Sequence, residues 1–172
     1  RCGVSDVLSL SAIGSLREEM APGHFVAVNQ FIDRTQGRQG SLFGPGLVAH
    51  VSLADPVCSR LSALAADAAR RAGAQVHDGG CYLAMEGPQF STLPESLTYQ
   101  RLGYDIIHMT SMPEAKLARE AEITYAVIAM VTDYDCWHEV HGAVDVASLL
   151  RVMAENNGKA QRVFARLARD FP

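Results

Sequence analysis

Two carboxylates, Asp133 and Asp135, follow the apolar segment 123–130 and have the spacing to act together. A β-rich apolar run of this length predicts a buried strand, and side chains two apart on a strand share a face. Two adjacent acids at the end of a buried strand cannot both ionise at low cost, so one of them keeps a proton. Such a pair accepts one hydrogen bond and donates another, which matches N6 and N7 of adenine. A pair of ordinary turn aspartates explains the spacing equally well.

The rest of the chain predicts alternating strands and helices around these acids. Strands are predicted over 4–10, 25–32, 47–52, 82–85, 105–108 and 123–132, and helices over 56–73, 94–102, from 112 onward, and over 146–169. Between the strands, 11–15 is expected to be a small-residue turn and 33–45 a long loop of the kind that is often functional.

This alternation predicts an α/β fold, a mainly parallel twisted sheet flanked by helices, with residues 1–172 as a single domain. Ligands of such folds bind at the carboxyl ends of the strands. Chemistry-bearing residues fall at the predicted ends: Ser11, residues 86–91, Met109, Thr110, Asp133 and Asp135.

Composition narrows the class of protein. Hydrophobic residues make up 48% and charged residues 20%, and the formal net charge is −4, so the basic surface that nucleic-acid binding needs is not expected. No apolar run reaches the roughly 18 residues of a membrane helix, so no membrane partner is expected. The four cysteines are scattered without short pairs, which favours free thiols and a reducing, cytoplasmic location. Cys136, His138 and His141 offer three ligands within six residues, but no fourth is evident, so no metal is expected.

Several motifs occur in the order and at the intervals of a known family. They are residues 84–92 (AMEGPQFST), 94–96 (PES), 109–114 (MTSMPE) and 132–137 (TDYDCW), with 30–35 (QFIDRT) further upstream. On these residues, from about Val7 to about Arg162, the chain resembles the 5′-methylthioadenosine phosphorylase branch of the purine nucleoside phosphorylase family. The resemblance implies phosphorolysis of 5′-methylthioadenosine to adenine and 5-methylthioribose 1-phosphate. It also implies no cofactor, inorganic phosphate as co-substrate, and a homotrimer with sites at subunit interfaces.

The resemblance also implies roles for individual residues. Asp133 is the catalytic acid that hydrogen-bonds or protonates N7, and Asp135 accepts from the N6 amino group. The remaining assignments are Phe90 and Ser91 beside the purine, Met109 at the ribose, His50 at a neighbouring subunit's 5′-thioether pocket, and Ser11, Ala12 and Thr110 at phosphate. On residue type alone, Phe90 and Met109 fit an ordinary core, His50 a surface, and Ser11 and Ala12 a turn.

The chain departs from the family pattern at its beginning. The family's glycine-threonine-glycine phosphate loop and a later arginine-histidine pair have no counterpart before Val4. We therefore expect an incomplete fold, corresponding to the C-terminal two-thirds of a subunit, and the activity of the chain alone stays open.

Two other functions also stay open. A phosphorylase of 6-oxopurine nucleosides or methylthioinosine is the nearest alternative, although it needs Asn in place of one acid because O6 accepts where N6 donates. A non-catalytic purine-binding fragment is the alternative from another class.

Overall fold

The computed structural model describes residues 2–140 and 146–170. The strands are β1 (Asp6–Ser15), β2 (Phe25–Ala27), β3 (Gln30–Asp33), β4 (Val76–Asp78), β5 (Cys81–Ala84), β6 (Ile106–His108) and β7 (Thr124–Asp133). The helices are α1 (Ser59–Arg71), α2 (Leu93–Arg101), α3 (Ser111–Glu120) and α4 (Val146–Asp170).

Within the described residues the seven strands form one sheet, in the order β3-β5-β6-β1-β7-β2-β4. The long strands β1 and β7 run parallel at its centre. The β3–β5, β5–β6 and β2–β4 pairs are also parallel, whereas β1–β6 and β2–β7 are antiparallel. The predicted α/β fold with a mainly parallel sheet is confirmed, and the two antiparallel neighbours make the sheet mixed.

Both faces of the sheet are covered, and β7 shows why. Its side chains alternate, so the odd-numbered residues from 125 to 131 pack with Met112 and Ala115 of α3. On the other face Ile128 packs with the alanines of α1 and with Val163 of α4. Burial on both sides fixes the position of β7 and therefore of Asp133 at its carboxyl end.

The predicted strand over 25–32 is wrong as a single element. It is two strands, β2 and β3, which lie in different parts of the sheet. The chain changes neighbours at Val28, whose N–H donates to Val127 O at 3.1 Å, and Asn29, whose Oδ1 accepts from Gly80 N–H at 3.0 Å. Local periodicity carries no information about such a change of neighbour.

Two further predictions fail locally. Residues 11–15 are not a turn but the second half of β1, because the pairing with β7 continues as far as Gly14. Residues 47–52 form no strand, whereas β4 was not predicted. The long loop is confirmed and is longer than expected, because 34–58 contains neither helix nor strand.

Candidate active site

The candidate site lies where β1 and β6 separate. These antiparallel strands pair only at Gly14–Ile107 and Ser15–Ile106. A cavity of about 230 Å³ opens beyond this short overlap. Five of the nine predicted site residues line it: Ala12, Phe90, Met109, Asp133 and Asp135. A larger open depression of about 990 Å³ beside Phe43 and Pro56 contains none of the nine.

Asp133 and Asp135 reach the same cavity by a different geometry from the one predicted. Asp133 is the last residue of β7, and its Oδ1 accepts from the backbone N–H of Asp135 at 2.8 Å. Asp135 has φ +55°, in the left-handed region, so strand alternation does not extend to it. A side-chain-stabilised turn, rather than a continuing strand, brings the two carboxyl groups together.

A β-bulge at Thr132 aims Asp133 into the cavity. Ile13 pairs with Val131 and Gly14 with Asp133, which leaves Thr132 as an extra residue in β7. Bulges re-aim side chains and are frequent beside active sites. Successive residues Thr132 and Asp133 consequently both line the cavity.

Thr132 also bears on the protonation of Asp133. Its Oγ1 lies 3.0 Å from Ile13 O and 2.7 Å from Asp133 Oδ2. A hydroxyl has one hydrogen, and a carbonyl oxygen only accepts. Thr132 therefore donates to only one of the two oxygens at a time, and donation to Asp133 Oδ2 lowers the pKa of that carboxyl group, against the larger effect of burial. Sequence reasoning missed this residue, since nothing local predicts a bulge.

Burial raises the pKa of both carboxyl groups. At Asp133 the charge of Asp135 raises the pKa further, but less than burial does. The sequence argument named both the buried position and the neighbouring acid as causes of the retained proton, and burial is the larger of the two. At Asp135 the hydroxyls of Ser96 and Ser91 oppose the effect of burial on the pKa and support its ionised form.

Replacing Asp133 with Asn should make stability less dependent on pH. The folded-state pKa of Asp133 is raised above the ordinary value of 3.8, so the folded protein holds the extra proton between these two values. The free energy of unfolding therefore falls as the pH rises from 3.8 to the raised pKa, by about 1.4 kcal/mol for each pH unit between them. Asn does not titrate, so the Asp133→Asn variant lacks this decrease.

Urea denaturation at several pH values from 4 to 8 measures the difference. Asp67→Asn, on the exposed side of α1, is the matched control and should follow the wild type. If the free energy of unfolding changed with pH in the same way in the wild type and in Asp133→Asn, the raised pKa of Asp133 would be contradicted.

Phe90 and Met109 form the other wall of the cavity. Phe90 lines the cavity although the residue is 55% exposed. Ser91 does not line it but lies beside Asp135, whose pKa its hydroxyl lowers. Met109 is packed against Gly87, where an added Cβ would lie 2.4 Å from Met109 Sδ. Gly87 also has φ +69°, a backbone conformation that favours glycine, and a Cβ at this position would force the Met109 side chain to move.

Gly87→Ala should weaken nucleoside binding by about one to two decades, because it displaces the Met109 side chain at the proposed ribose position. Gly44→Ala is the matched control, since Gly44 has a similar φ of +62° and no atom within 4 Å of the added Cβ. Calorimetric titration with 5′-methylthioadenosine measures the affinity, and thermal melts separate strain from displacement. Equal affinities for the two variants would show that Met109 does not position the ribose.

Ser11 and Thr110 come together with two residues that sequence reasoning left out. His108 Nδ1 lies 3.1 Å from Ser11 Oγ and 3.4 Å from Thr110 Oγ1. The Tyr82 hydroxyl lies 3.4 Å from Thr110 Oγ1 and from its backbone nitrogen. The predicted turn at Ser11 is wrong because this residue lies inside β1. The anion-binding candidates here are side-chain hydroxyls.

His50 is not part of this cavity. It lies, exposed, on the 34–58 loop. Its role at the site of a neighbouring subunit stays a prediction.

Arg38 holds the 34–58 loop against the site and was also missed. Its guanidinium donates to the backbone oxygens of Met109 and Glu86 and pairs with the Glu86 carboxylate at 3.1 Å. Glu86 in addition accepts from Gln36 N–H at 2.7 Å. Arg38 therefore fixes the backbone on both sides of the Met109 and Gly87 contact. A single arginine in a polar loop gives no local signal of such a role.

Within the described residues, no metal-binding cluster, disulfide bond or membrane-spanning helix is found. Within residues 2–140 and 146–170, no group of three or more His, Cys, Asp and Glu side chains could hold a metal ion. Cys136 Sγ donates to Ser91 O and His138 pairs with Glu18, while His141 lies outside the described residues. All four cysteines are free. No helix in the described ranges is long and apolar enough to span a membrane.

The chain is similar to a known protein family over nearly its whole length. A family model described as the phosphorylase superfamily matches residues 1–169. This chain belongs to the phosphorylase superfamily. The membership agrees with the resemblance inferred from the motifs around Phe90, Met109 and Asp133.

Individual relatives from this superfamily are similar over nearly the whole chain. The S-methyl-5′-thioadenosine phosphorylase of Bradyrhizobium diazoefficiens is 59% identical over 172 residues, which is 100% of this chain and 59% of that protein. That of Cereibacter sphaeroides is 61% identical over 97% of this chain and 58% of its own length. The chain thus spans about three fifths of the length of the curated relatives it matches.

A solved structure shows the same fold. The methylthioadenosine phosphorylase of Schistosoma mansoni, determined in complex with adenine, matches with a TM-score of 0.89 and 34% identity. The match covers 94% of this chain and 64% of that one. The predicted purine nucleoside phosphorylase-like fold is confirmed.

Proposed function

We propose that this chain carries the purine- and ribose-binding groups for the phosphorolysis of 5′-methylthioadenosine. The observation that carries the proposal is the convergence of Asp133 and Asp135 on one cavity with Phe90 and Met109. A buried proton donor beside a second carboxyl group matches N7 and N6 of adenine. The names of the similar proteins support the same substrate.

In the proposed reaction, phosphate forms a bond to C1′ as the bond between C1′ and the purine nitrogen breaks. The electron pair of the broken bond goes to the purine, and Asp133 transfers its proton to N7. The ribose is oxocarbenium-like in the transition state, so the phosphate dianion stabilises its positive charge. Asp133 is left as a carboxylate and regains a proton from solvent. Asp135 accepts from the N6 amino group throughout.

Asp135 is suited to accepting this hydrogen bond. Within the described part of the chain, its Oδ2 is buried and has no hydrogen-bond partner. A buried acceptor without a partner costs free energy, which an amino group of the ligand would recover. Ser91 and Ser96 favour the ionised, accepting form.

Phosphate is proposed to bind at Ser11, Ala12 and Thr110. Ser11 Oγ and Thr110 Oγ1 are both in contact with His108 Nδ1, so the two hydroxyls lie close together at one edge of the nucleoside cavity. Hydroxyl donors suffice for an anion, and no metal or organic cofactor is invoked.

The alternatives are less well supported. A 6-oxopurine or methylthioinosine phosphorylase needs a donor opposite O6, whereas Asp135 presents an acceptor. A purine-binding fragment without catalysis needs no proton donor at N7, yet burial favours a protonated Asp133.

Assembly and location are proposed with the activity. A homotrimer would cover the apolar side chains that the 34–58 loop exposes, which are Leu42, Phe43, Leu47, Val48 and Val51. It would also bring His50 of one copy toward the site of the next. The four free cysteines support a reducing cytoplasm.

The test measures how much adenine is formed from 5′-methylthioadenosine and phosphate, with adenine quantified by chromatography. Two proteins are compared: this chain alone, and this chain preceded by the amino-terminal segment of the Bradyrhizobium relative. Inosine is the competing substrate, and omission of phosphate is the control.

Phosphate-dependent release of adenine by either protein supports the proposal. Preferential cleavage of inosine would assign the 6-oxopurine alternative. Tight nucleoside binding by both folded proteins without phosphate-dependent cleavage would assign a binding fragment and overturn the proposed activity.

A further inference from the structure

His108 is a half-buried histidine in contact with both hydroxyls of the proposed phosphate site. Its Nδ1 lies 3.1 Å from Ser11 Oγ and 3.4 Å from Thr110 Oγ1, and its ring lines the nucleoside cavity. Ser11 itself is only 5% exposed, so its hydroxyl has few alternatives for a partner. No local pattern distinguished this histidine in the sequence.

The protonation of Nδ1 decides where the two hydroxyl hydrogens point. When Nδ1 carries no hydrogen it accepts, and a hydroxyl that donates to it turns its oxygen lone pairs outward. Lone pairs repel a phosphate dianion. When Nδ1 carries a hydrogen it donates to Ser11 Oγ, and the hydrogens of Ser11 and Thr110 are then free to point toward phosphate oxygens.

We propose that His108 is a positioning residue for phosphate, which by carrying a proton on Nδ1 orients the hydroxyl donors of Ser11 and Thr110. This inference rests on the proposed function and adds to it the residue His108 and a proton on its Nδ1. In the free protein the imidazole is neutral and Nδ1 accepts from Ser11. Binding of the dianion places the hydrogen on Nδ1, by change of tautomer or by uptake of a proton.

The surroundings of His108 favour the neutral ring until an anion arrives. Burial lowers the pKa of His108. The other titratable groups near it are the Tyr82 hydroxyl from β5, and Asp133 and Asp135, which line the same cavity. Arg38 binds the adjacent Met109 carbonyl and is paired with Glu86. A bound dianion adds negative charge beside the ring and favours its protonation.

The decisive measurement is the nitrogen NMR spectrum of the histidine side chains, with inorganic phosphate as the probe. Both proteins of the activity assay are titrated, and the His108→Leu spectrum assigns the signal. We expect His108 Nδ1 to change from the unprotonated to the protonated state on phosphate binding. His77, which contacts His24 elsewhere in the fold, should not change and is the internal control.

Variants provide the second readout. Calorimetric phosphate affinity should fall roughly tenfold in His108→Leu, which removes one hydrogen bond to the donor pair. His108→Gln should recover most of the affinity, because its amide donates without titrating. The matched control His77→Gln should bind phosphate as the wild type does.

The outcomes separate the two proposals. If the amide signals of Ser11 and Thr110 respond to phosphate but Nδ1 of His108 does not, the role of His108 is overturned and the proposed function stands. If neither protein responds to phosphate, the proposed function fails together with this inference. If His108→Leu fails to fold, the His108→Gln spectrum assigns the signal and the wild-type titration decides.

Discussion

Asp133→Ala is expected to lower turnover of 5′-methylthioadenosine by about 10²–10⁴-fold, the usual contribution of a general acid. The purine N7 becomes a strong acceptor only as the bond to C1′ breaks, so Asp133 interacts mainly with the transition state. Binding should weaken much less than turnover, because Phe90, Met109 and Asp135 remain to make the contacts proposed for the base and sugar. Turnover and substrate affinity are therefore measured separately, in the protein that shows phosphorolysis.

Asp133→Asn is the informative companion to the alanine variant. Its amide can donate a hydrogen bond to N7 but cannot transfer a proton, so its turnover should lie between those of wild type and Asp133→Ala. Thermal melts verify that both variants are folded. A folded Asp133→Ala variant with weak binding and undiminished turnover would leave Asp133 as a binding residue only.

Asp135→Asn is expected to change the preferred base. A carboxylate accepts from the N6 amino group of adenine and repels O6 of a 6-oxopurine, whereas an amide can donate to O6. Loss of a charge-assisted hydrogen bond costs about 1.5–3 kcal/mol, which is about one to two decades of specificity. The variant should bind methylthioadenosine more weakly and should favour methylthioinosine relative to the wild type.

The comparison requires both nucleosides on the same protein preparation. Asp105→Asn is a control at an acid that forms a structural ion pair with Arg17 at 2.8 Å, and it should leave the base preference unchanged. Equal losses for both nucleosides in Asp135→Asn would show that Asp135 supports the turn without reading the base.

The sequence alone determined the types of most elements. Apolar runs and helical spacing predicted β7, α1 and α4 close to their observed bounds and the start of α3, because strand and helix periodicity arise from backbone geometry over a few residues. The motifs around Phe90, Met109 and Asp133 further indicated the family. One failure arose from local composition. The small residues of 11–15 were predicted to form a turn, whereas β1 continues through them and needs small side chains beside Asp133. A Cβ on Gly14 would lie 3.1 Å from Asp133 Oδ1.

Only the tertiary structure decided how the site is built. His108 meets Ser11 across 97 positions of sequence because β6 lies antiparallel beside β1 and then diverges from it. Thr132 reaches Ile13 O because β7 bulges where it pairs with β1. Arg38 crosses from a loop to Met109. Such contacts depend on the order, direction and register of strands, which are set by packing of the whole sheet. Local sequence periodicity therefore indicates that a strand exists but not which residues of distant strands come into contact.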